Sequence, residues 1–280
     1  MHLQCGGYRI GFGRPVVMGV VNVTPDSFAD GGRHYATAAA LEHAARLAED
    51  GAAIVDVGGE STRPGAAAVD TAEELRRVIP VIEGLARTLA IPVSVDTRNP
   101  EVMRQALAAG ASMVNDVSAL AAPGALEAVA ASRAAVCLMH MQGDPATMQA
   151  APRYDDVVAE VREFLRCRVE TCEAAGISRD RLAIDPGFGF GKTLEHNLAL
   201  LTGLSAIASD GLPVLAGLSR KRVIGALTGR GEGERLAGSL AAAVVAAIHG
   251  ARIIRAHDVR ETVDALAVLA AASVLRENHA

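Results

Sequence analysis

Polar side chains come directly after short apolar runs at many points along this chain. Six residues share this position: Asn22, Asp56, Asp96, Asn115, Asp185 and Arg255. Carboxylates and amides can hydrogen-bond the N–H-rich edge of a flat heterocycle, whereas a guanidinium group suits an anion. If the apolar runs are parallel strands, their carboxyl ends meet on one face, so these side chains would surround a common ligand. The six residues are therefore candidates for an active site.

The apolar runs have the length and the β-branched composition of buried parallel strands. We count eight of them, near residues 15–21, 53–57, 92–95, 112–115, 135–139, 181–185, 213–216 and 252–255. Helical periodicity follows most of them, and it is clearest over 154–172. This alternation predicts an α/β fold, a (β/α)8 TIM barrel that forms a single domain over residues 1–280, with 1–13 as a short N-terminal extension.

Composition argues against several classes of protein. The 280 residues are 50% hydrophobic with a formal net charge of −5, which provides a large core and argues against general nucleic-acid binding. Charged residues interrupt the longest apolar stretches, so we expect no membrane span, and residues 1–7 lack the features of a signal peptide. The four cysteines have neither metal-ligand spacing nor obvious pairs. We therefore expect a cytoplasmic protein that binds neither membrane nor nucleic acid.

Two loops of the predicted barrel could have a function. The loop after the first strand, around 22–34, combines turn residues with Phe28, and its length favours a lid over an ordinary connector. Residues 187–193 are rich in glycine, yet Pro186 stands where a phosphate-binding loop needs glycine, and the dinucleotide-binding spacing fails as well. We expect these glycines to let the backbone approach a flat ligand beside Asp185.

Two basic clusters follow the last two predicted strands. Residues 219–222 precede a helix, and Arg255 with His257 follows the neighbouring strand. Each cluster alone could be a solvated basic turn. Because helix N-termini attract anions and barrels often bind phosphate near these strands, two neighbouring clusters favour an oxyanion site.

Asp96, Asn115 and Asp185 form a third group with two interpretations. Strand-end acidic residues often cap the following helix, and any one of the three alone would fit such a structural role. Together on one barrel face they could pair with an amino-pyrimidinone edge, because adjacent N–H groups suit a bidentate carboxylate. His140 lies between two methionines, and we expect it to be a packed histidine rather than a ligand.

These residues fall within motifs that resemble those of the dihydropteroate synthase family, the folate-pathway enzymes targeted by sulfonamides. The resemblance covers nearly the whole chain, in order and with family-like spacing. The one nearby oddity is Arg222, at a position where relatives often have serine, which could alter the rim of the pocket. The matching stretches are 18–28, 56–65, 94–97, 115–116, 138–140, 185–190, 219–221 and 255–259.

The resemblance implies an activity and its requirements. Members of the family are transferases that join 6-hydroxymethyl-7,8-dihydropterin diphosphate to p-aminobenzoate. The reaction releases diphosphate and forms 7,8-dihydropteroate, with Mg²⁺ assisting. Relatives are commonly homodimers built from the late helices. The resemblance therefore implies a magnesium-dependent, homodimeric transferase of folate biosynthesis.

The resemblance also implies roles for residues, through the motifs that they occupy. The pterin would be held by Asp96, Asn115, Met139, Asp185, Gly217 and Lys221. The diphosphate would be bound by Asn22, Arg63, Arg255 and His257, with Asn22 also a ligand of Mg²⁺. The p-aminobenzoate would be bordered by Phe28, Thr62, Arg63, Pro64, Phe190 and Ser219. The catalytic residues would be Asp96, Lys221, Arg255 and His257, whereas Asp56 would be structural.

The expected chemistry agrees with the residue types. Diphosphate leaves readily once metal and cations neutralise its charge, and a carboxylate such as Asp96 would stabilise the cationic pterin methylene that remains. The arylamine is nucleophilic in its unprotonated form. This explains why no conventional nucleophile or strong general base is found among the motifs, and why positioning would dominate catalysis.

Two alternatives to the synthase remain open. A pterin-binding methyltransferase barrel would share the Asp/Asn/Asp set, but it would not need the first loop or the basic turn at 219–222. A non-catalytic pterin-binding protein would have lost the diphosphate ligands, whereas Asn22, Arg255 and His257 are all present.

Overall fold

Eight parallel strands form a closed barrel at the centre of the molecule. The computed structural model describes residues 1–23, 33–60, 69–144 and 147–277. An antiparallel hairpin, β1 (His2–Cys5) and β2 (Tyr8–Gly11), precedes the barrel strands, which are β3 (Val16–Asn22), β4 (Ile54–Gly58), β5 (Val93–Asp96), β6 (Met113–Asp116), β7 (Ala135–Met139), β8 (Leu182–Asp185), β9 (Val214–Ala216) and β10 (Ala251–Ala256). The barrel follows chain order and closes where β10 pairs with β3, which confirms the predicted TIM barrel.

Helices connect the strands and cover the barrel. In the described residues they are α1 (Arg33–Glu49), α2 (Thr71–Thr88), α3 (Pro100–Ala108), α4 (Ala125–Ala130), α5 (Val157–Ala174), α6 (Leu194–Thr202), α7 (Leu204–Ala208), α8 (Arg222–Thr228), α9 (Leu236–Ile248) and α10 (Val259–Glu277). Side chains of a strand alternate between the barrel interior and the helices. Val55 and Val57 of β4 accordingly share an apolar cluster with Ile82 of α2, whereas Ile54 belongs to the interior cluster.

The strand register brings polar strand ends to one level of the barrel. Asn22 on β3 lies beside Gly58 on β4, which lies beside Asp96 on β5. Asp96 in turn lies beside Asn115 on β6. The parallel alignment that the apolar runs predicted therefore collects these residues at the carboxyl end of the barrel.

The segment predicted as an extension is the hairpin β1–β2, which closes the amino end of the barrel. Leu3, Cys5, Ile10 and Phe12 are buried and belong to one cluster with the inward-facing residues of the barrel strands. Those inward-facing residues are Met18, Ile54, Met113, Ala135, Cys137, Ala183, Leu215 and Ile253. The hairpin thus seals one end of the barrel and leaves the polar end as the place for a ligand.

Two helices contain residues that usually mark a helix end. Asn99 caps α3: its Oδ1 accepts from the backbone N–H of Glu101 at 3.0 Å, and Pro100 is the first helical residue. Pro80 lies inside α2, and the helix continues on both sides of it. Proline has no N–H, so the carbonyl of Arg76 loses its helical partner without ending the helix.

Two expectations from composition can be compared with the described residues. None of their helices is long and apolar enough to cross a membrane. The cysteines Cys5, Cys137, Cys167 and Cys172 are all free thiols, and three of them are buried.

The hairpin seal predicts a stability cost for the truncation of Leu3, which is fully buried. Leu3→Ala should lower the free energy of unfolding by about 2–5 kcal/mol, because it removes buried apolar contacts and leaves a cavity. Urea denaturation measures this loss. The exposed Arg9 on the same hairpin provides the control, and Arg9→Ala should change stability by less than about 0.5 kcal/mol. Equal effects of the two substitutions would contradict the seal.

Candidate active site

A guanidinium group shared by two carboxylates lies at the carboxyl end of the barrel. Nε of Arg255 on β10 donates to Oδ2 of Asp56 on β4 at 2.7 Å. Nη2 of Arg255 donates to Oδ2 of Asp96 on β5 at 2.8 Å. The Asp56 side chain is fully buried, and the other two are mostly buried. Because an unpaired buried charge is costly, each of the three side chains depends on the others.

Asp56 also orients Asn115 on β6. Nδ2 of Asn115 donates to the same Oδ2 of Asp56 at 3.0 Å, and Oδ1 of Asp56 has no partner among the described residues. Since the amide nitrogen is held, the amide oxygen of Asn115 is the atom left to accept from a ligand. The structural role expected for Asp56 is therefore too narrow, because Asp56 positions two of the predicted site residues.

Burial and the neighbouring charges have opposite effects on the pKa values of Asp96 and Arg255. Burial raises the pKa of Asp96 to about 7, while Arg255 works against the rise and Asp56 adds to it. Burial acts to lower the pKa of Arg255, but the two carboxylates outweigh it and hold that pKa above its ordinary value. Arg255 therefore stays charged, and Asp96 is a carboxylate whose ionisation depends on this pair.

Asp116, next to Asn115, has a local structural role instead. Its carboxylate accepts from the backbone N–H groups of Ser118 at 2.8 Å and Leu120 at 2.7 Å. Burial raises the pKa of Asp116 to about 6, and these two hydrogen bonds limit the rise. Asp116 therefore stabilises a loop, whereas Asp56 and Asp96 belong to the candidate site.

Asp185 and Lys221 form a second polar group. Asp185 ends β8 and its Oδ1 accepts from the N–H of Gly187 at 2.7 Å. Lys221 precedes α8, and its Nζ donates to the carbonyl of Phe188 at 2.6 Å and lies 4.6 Å from the ring centroid of Phe190. Burial lowers the pKa of Lys221 to about 8 and raises that of Asp185, and in each case the opposite charge works against the shift.

The glycines after β8 permit a close approach between two loops. Gly187 and Gly191 have φ of 70° and 59°, in the left-handed region. A Cβ on Gly187 would lie 1.9 Å from the carbonyl oxygen of His140, and one on Gly191 would lie 2.4 Å from that of Gln142. Both contacts are with the loop after β7. The expectation that these glycines admit a flat ligand is therefore wrong for Gly187 and Gly191.

Ser219 and His257 form a third polar group. Oγ of Ser219 lies 3.0 Å from Nδ1 of His257 and accepts from its backbone N–H at 3.2 Å. The next residue, Arg220, has a φ of 57°, which is uncommon outside glycine. Its N–H donates to Oγ of Ser239 at 2.9 Å and its guanidinium pairs with Asp258. These contacts hold the turn at 219–222 in place, with the Ser219 hydroxyl against His257 just after β10.

The contacts group the predicted anion ligands differently from the sequence analysis. Arg255 and His257 were expected to act on one anion, but Arg255 pairs with two carboxylates whereas His257 contacts Ser219. Within the described chain, Nη1 of Arg255 has no hydrogen-bond partner. Nη1 and the second N–H of Nη2 could donate to an anion without breaking the carboxylate pairs.

Two further residues expected at the pterin lie beside these groups. Met139 ends β7 and is buried. Gly217 follows β9, and a Cβ there would lie 3.7 Å from Nζ of Lys221 and 3.8 Å from Cβ of Arg255. The missing side chain at Gly217 therefore keeps space open between the two cations.

Some predictions fall outside the described residues. These are the roles of Phe28, Thr62, Arg63 and Pro64 and the lid formed by the first loop.

One buried cation near this site, Lys192, was not among the predicted site residues. Lys192 was considered only as part of a rejected phosphate-binding loop, yet its side chain is 3% exposed and contacts His140. The available signal was composition, because this chain has 27 basic residues but only two lysines, Lys192 and Lys221. His140 is buried and packs edge-on against Phe164, as expected of a packed histidine.

Asn22, at the end of β3, is the predicted ligand of Mg²⁺. The described residues contain no group of three or more His, Cys, Asp or Glu side chains that could hold a metal. Mg²⁺ prefers oxygen ligands and is usually bound by one or two protein groups together with substrate phosphates and water. The half-buried amide of Asn22 fits a metal that arrives with a phosphate-bearing substrate.

The chain is similar to known proteins over almost its full length. The pterin binding enzyme family matches residues 18–257. A dihydropteroate synthase from Escherichia coli (strain K12) is 52% identical over 278 residues, 99% of each chain. The solved structure of Xanthomonas albilineans dihydropteroate synthase with 4-aminobenzoic acid is 58% identical, with a TM-score of 0.92 over 97% of this chain and 98% of that one. The structure of the same enzyme with 7,8-dihydropteroate is 55% identical, with a TM-score of 0.90 over 98% and 99%.

The shared guanidinium predicts that Asp56 stabilises the fold as well as the site. Asp56→Ala should lower the free energy of unfolding by about 3–5 kcal/mol, because it leaves a buried charge and a buried amide without their acceptor. Urea denaturation measures the loss. Glu170→Ala is the control: it breaks an exposed pair with Arg166 and should cost less than about 1 kcal/mol. A loss at Asp56 no larger than the control would contradict the network.

Proposed function

This chain belongs to the dihydropteroate synthases of the pterin-binding enzyme family, and on that premise we propose how its residues share the reaction. The enzyme is a transferase that joins 6-hydroxymethyl-7,8-dihydropterin diphosphate to p-aminobenzoate and releases diphosphate. The methyltransferase alternative is set aside, because the full-length relatives are synthases.

The assignment of roles depends on one observation: buried hydrogen-bond acceptors lie beside the half-buried Lys221. Asp185 would accept from adjacent N–H groups of the pyrimidinone edge, which suit a carboxylate. The amide oxygen of Asn115 would accept another N–H, since its nitrogen is bound to Asp56. Lys221 would donate to a pterin acceptor in exchange for the Phe188 carbonyl. Met139 and Gly217 would border the ring.

Asp96 is proposed to stabilise the positive charge that forms during the reaction. When the bond between the methylene carbon and the diphosphate oxygen breaks, the pterin methylene becomes cationic and the electron pair leaves with diphosphate. Arg255 occupies Oδ2 of Asp96, so Oδ1 remains to face this charge. A fixed carboxylate in a water-poor site stabilises such a charge without reorganisation. Arg255 would therefore act by holding Asp96 in place and ionised.

The leaving diphosphate would lie at the open end of the barrel, beside His257. His257 is held by Ser219, and Arg255 keeps N–H groups on Nη1 and Nη2 that its pairs with Asp56 and Asp96 do not use. Bound Mg²⁺, held by Asn22 and by the phosphate oxygens, would supply positive charge that makes diphosphate a better leaving group. Arg63 stays a predicted diphosphate ligand.

The p-aminobenzoate is proposed to approach between Phe190 and Ser219. The Phe190 ring already lies under Lys221, so an aromatic ring stacked there would be close to the pterin methylene. The arylamine nitrogen then forms the new bond to that carbon and loses a proton. Phe28, Thr62, Arg63 and Pro64 stay predicted borders of this subsite.

We propose that the enzyme is a homodimer and acts in the cytoplasm. Support for the dimer comes from exposed apolar side chains on the last three helices of the described chain: Leu227, Leu236, Ile248 and Val268. Sedimentation equilibrium should give twice the 28.8 kDa chain mass, and the single-chain mass would contradict the dimer. Cell fractionation tests the location, and recovery of the protein with membranes would contradict it.

The activity should depend on all parts of this scheme. With the pterin diphosphate, p-aminobenzoate and Mg²⁺, the protein should release diphosphate, and release should stop when the arylamine is omitted, because the bond-forming step is then lacking. An excess of chelator should abolish turnover. Full turnover in chelator would refute the metal role, and pterin binding without any release would favour the non-catalytic alternative.

Asp185→Ala should weaken pterin binding on the order of 10- to 100-fold, since hydrogen bonds to a charged group contribute about 1.5–3 kcal/mol. Calorimetry with a non-reacting pterin, 6-hydroxymethylpterin, measures the change. Asp180→Ala, at an exposed aspartate just before β8, should bind like the wild type. An unchanged affinity of the Asp185 variant would remove this residue from the site.

A further inference from the structure

Lysine is rare in this chain, and both lysines lie near the candidate site. All other basic side chains, apart from histidines, are arginines among the 27 basic residues, so the chain's general source of positive charge is arginine. Lys221 is one of the two exceptions and lies in the site already described. Lys192 is the other, in the loop between β8 and α6. A compact ammonium group differs from guanidinium in shape and donor geometry, so such a position has a specific requirement.

Lys192 joins two loops at the carboxyl end of the barrel. Its Nζ lies 3.0 Å from Nδ1 of His140 and donates to the carbonyls of Phe190 at 2.9 Å and of His140 at 3.4 Å. His140 follows β7, whereas Phe190 follows β8. Three partners on two loops use the three donors of one ammonium group.

His140 is suited to accept from this ammonium group. Burial, together with the neighbouring Lys192 charge, lowers the pKa of His140 to about 3. The imidazole is therefore neutral near physiological pH, and Nδ1 can act as an acceptor. The ring is held edge-on against Phe164, with a centroid separation of 4.9 Å. The imidazole that contacts Lys192 is therefore held in place by its packing.

The charged groups that face Lys192 belong to the pterin site. Burial lowers the pKa of Lys192 to about 7, Asp185 works against this decrease, and Lys221 adds to it. Conversely, Lys192 is one of the charges that limit the burial-driven rise in the pKa of Asp185. The charge on Lys192 therefore favours the ionised form of a carboxylate proposed to bind the pterin.

The same ammonium group fixes the surroundings of Lys221. Lys192 holds the carbonyl of Phe190, and the ring of that phenylalanine lies under Nζ of Lys221. The carbonyl of Phe188, two residues earlier in this loop, accepts from Lys221. A shift of this loop would move both contacts of Lys221 together.

We propose that Lys192 is a positioning residue of the pterin site. Its ammonium group sets the loop that carries Phe188 and Phe190 and supports the negative charge of Asp185, without touching the substrate. The proposal rests on the pterin function given above. A merely structural link between two loops would instead affect stability and leave the affinity for pterin unchanged.

Two variants separate the positioning role from a structural one. Lys192→Met removes the charge and the three donors but keeps the length of the side chain, and thermal unfolding checks that the variant folds. Its affinity for 6-hydroxymethylpterin should fall about tenfold, within the usual range of coupling between neighbouring groups. Lys192→Arg should restore part of that loss, because the charge returns with a different donor geometry.

A second substitution shows whether the effect passes through Asp185. In an Asp185→Asn background, where the carboxylate charge is absent, Lys192→Met should reduce pterin affinity by much less than tenfold. Equal reductions in both backgrounds would overturn the electrostatic part of the proposal. Thermal unfolding of each variant supplies the readout that a structural role would move.

The scarcity of lysine makes the group directly observable. Labelling with [¹³Cε]lysine should give two side-chain signals, which Lys192→Arg assigns. Saturation with 6-hydroxymethylpterin should shift the Lys192 signal as well as that of Lys221. If the wild type binds the pterin but Lys192→Met binds it equally and the Lys192 signal is unmoved, the proposal is overturned. If the wild type does not bind the pterin, the proposed function itself fails.

Discussion

The pairing of one guanidinium with two carboxylates across the barrel is the interaction on which the site depends. Arg255 comes from the last strand, whereas Asp56 and Asp96 come from the second and third barrel strands. These charges can be buried only together, so the barrel must close with its first and last strands in register before any of them is satisfied. The same pairing orients Asn115, because Asp56 accepts from both side chains. Closure of the barrel therefore completes this network of contacts.

Most of the barrel could be predicted because each buried strand has a local signature. An apolar run that ends in a polar residue marks six of the eight barrel strands within a few positions, and β7 and β9 were found as apolar runs alone. The hairpin β1–β2 was missed because its strands lack a continuous apolar run, and its role appears only when it packs on the barrel. The barrel closes by pairing strands that are far apart in sequence. No single segment therefore predicts which side chains meet there.

In the site too, the sequence identified candidate residues but not the residues that they contact. Sequence identified Asp96, Asn115, Asp185 and Lys221 as candidates, and the structure gives each a defined neighbour. It did not reveal that Asp56 serves two of the candidates, or that Gly187 and Gly191 accommodate another loop's backbone instead of a ligand. Spacing rules describe contacts within a segment, whereas these contacts join loops that follow different strands. The buried Lys192 escaped attention because its neighbours in sequence suggested a nucleotide motif.

The hairpin at the amino end of the barrel has a consequence for the traffic of substrates. Leu3, Cys5, Ile10 and Phe12 close that end with apolar side chains, so the interior has no second exit there. Both substrates and both products must then share a single doorway. With the roles proposed above, a pterin against Asn115 and Asp185 would occupy the inner place, and an arylamine beside Phe190 and Ser219 would lie between it and the solvent. In that arrangement the pterin would have to bind before the arylamine, because a bound arylamine would block its way in.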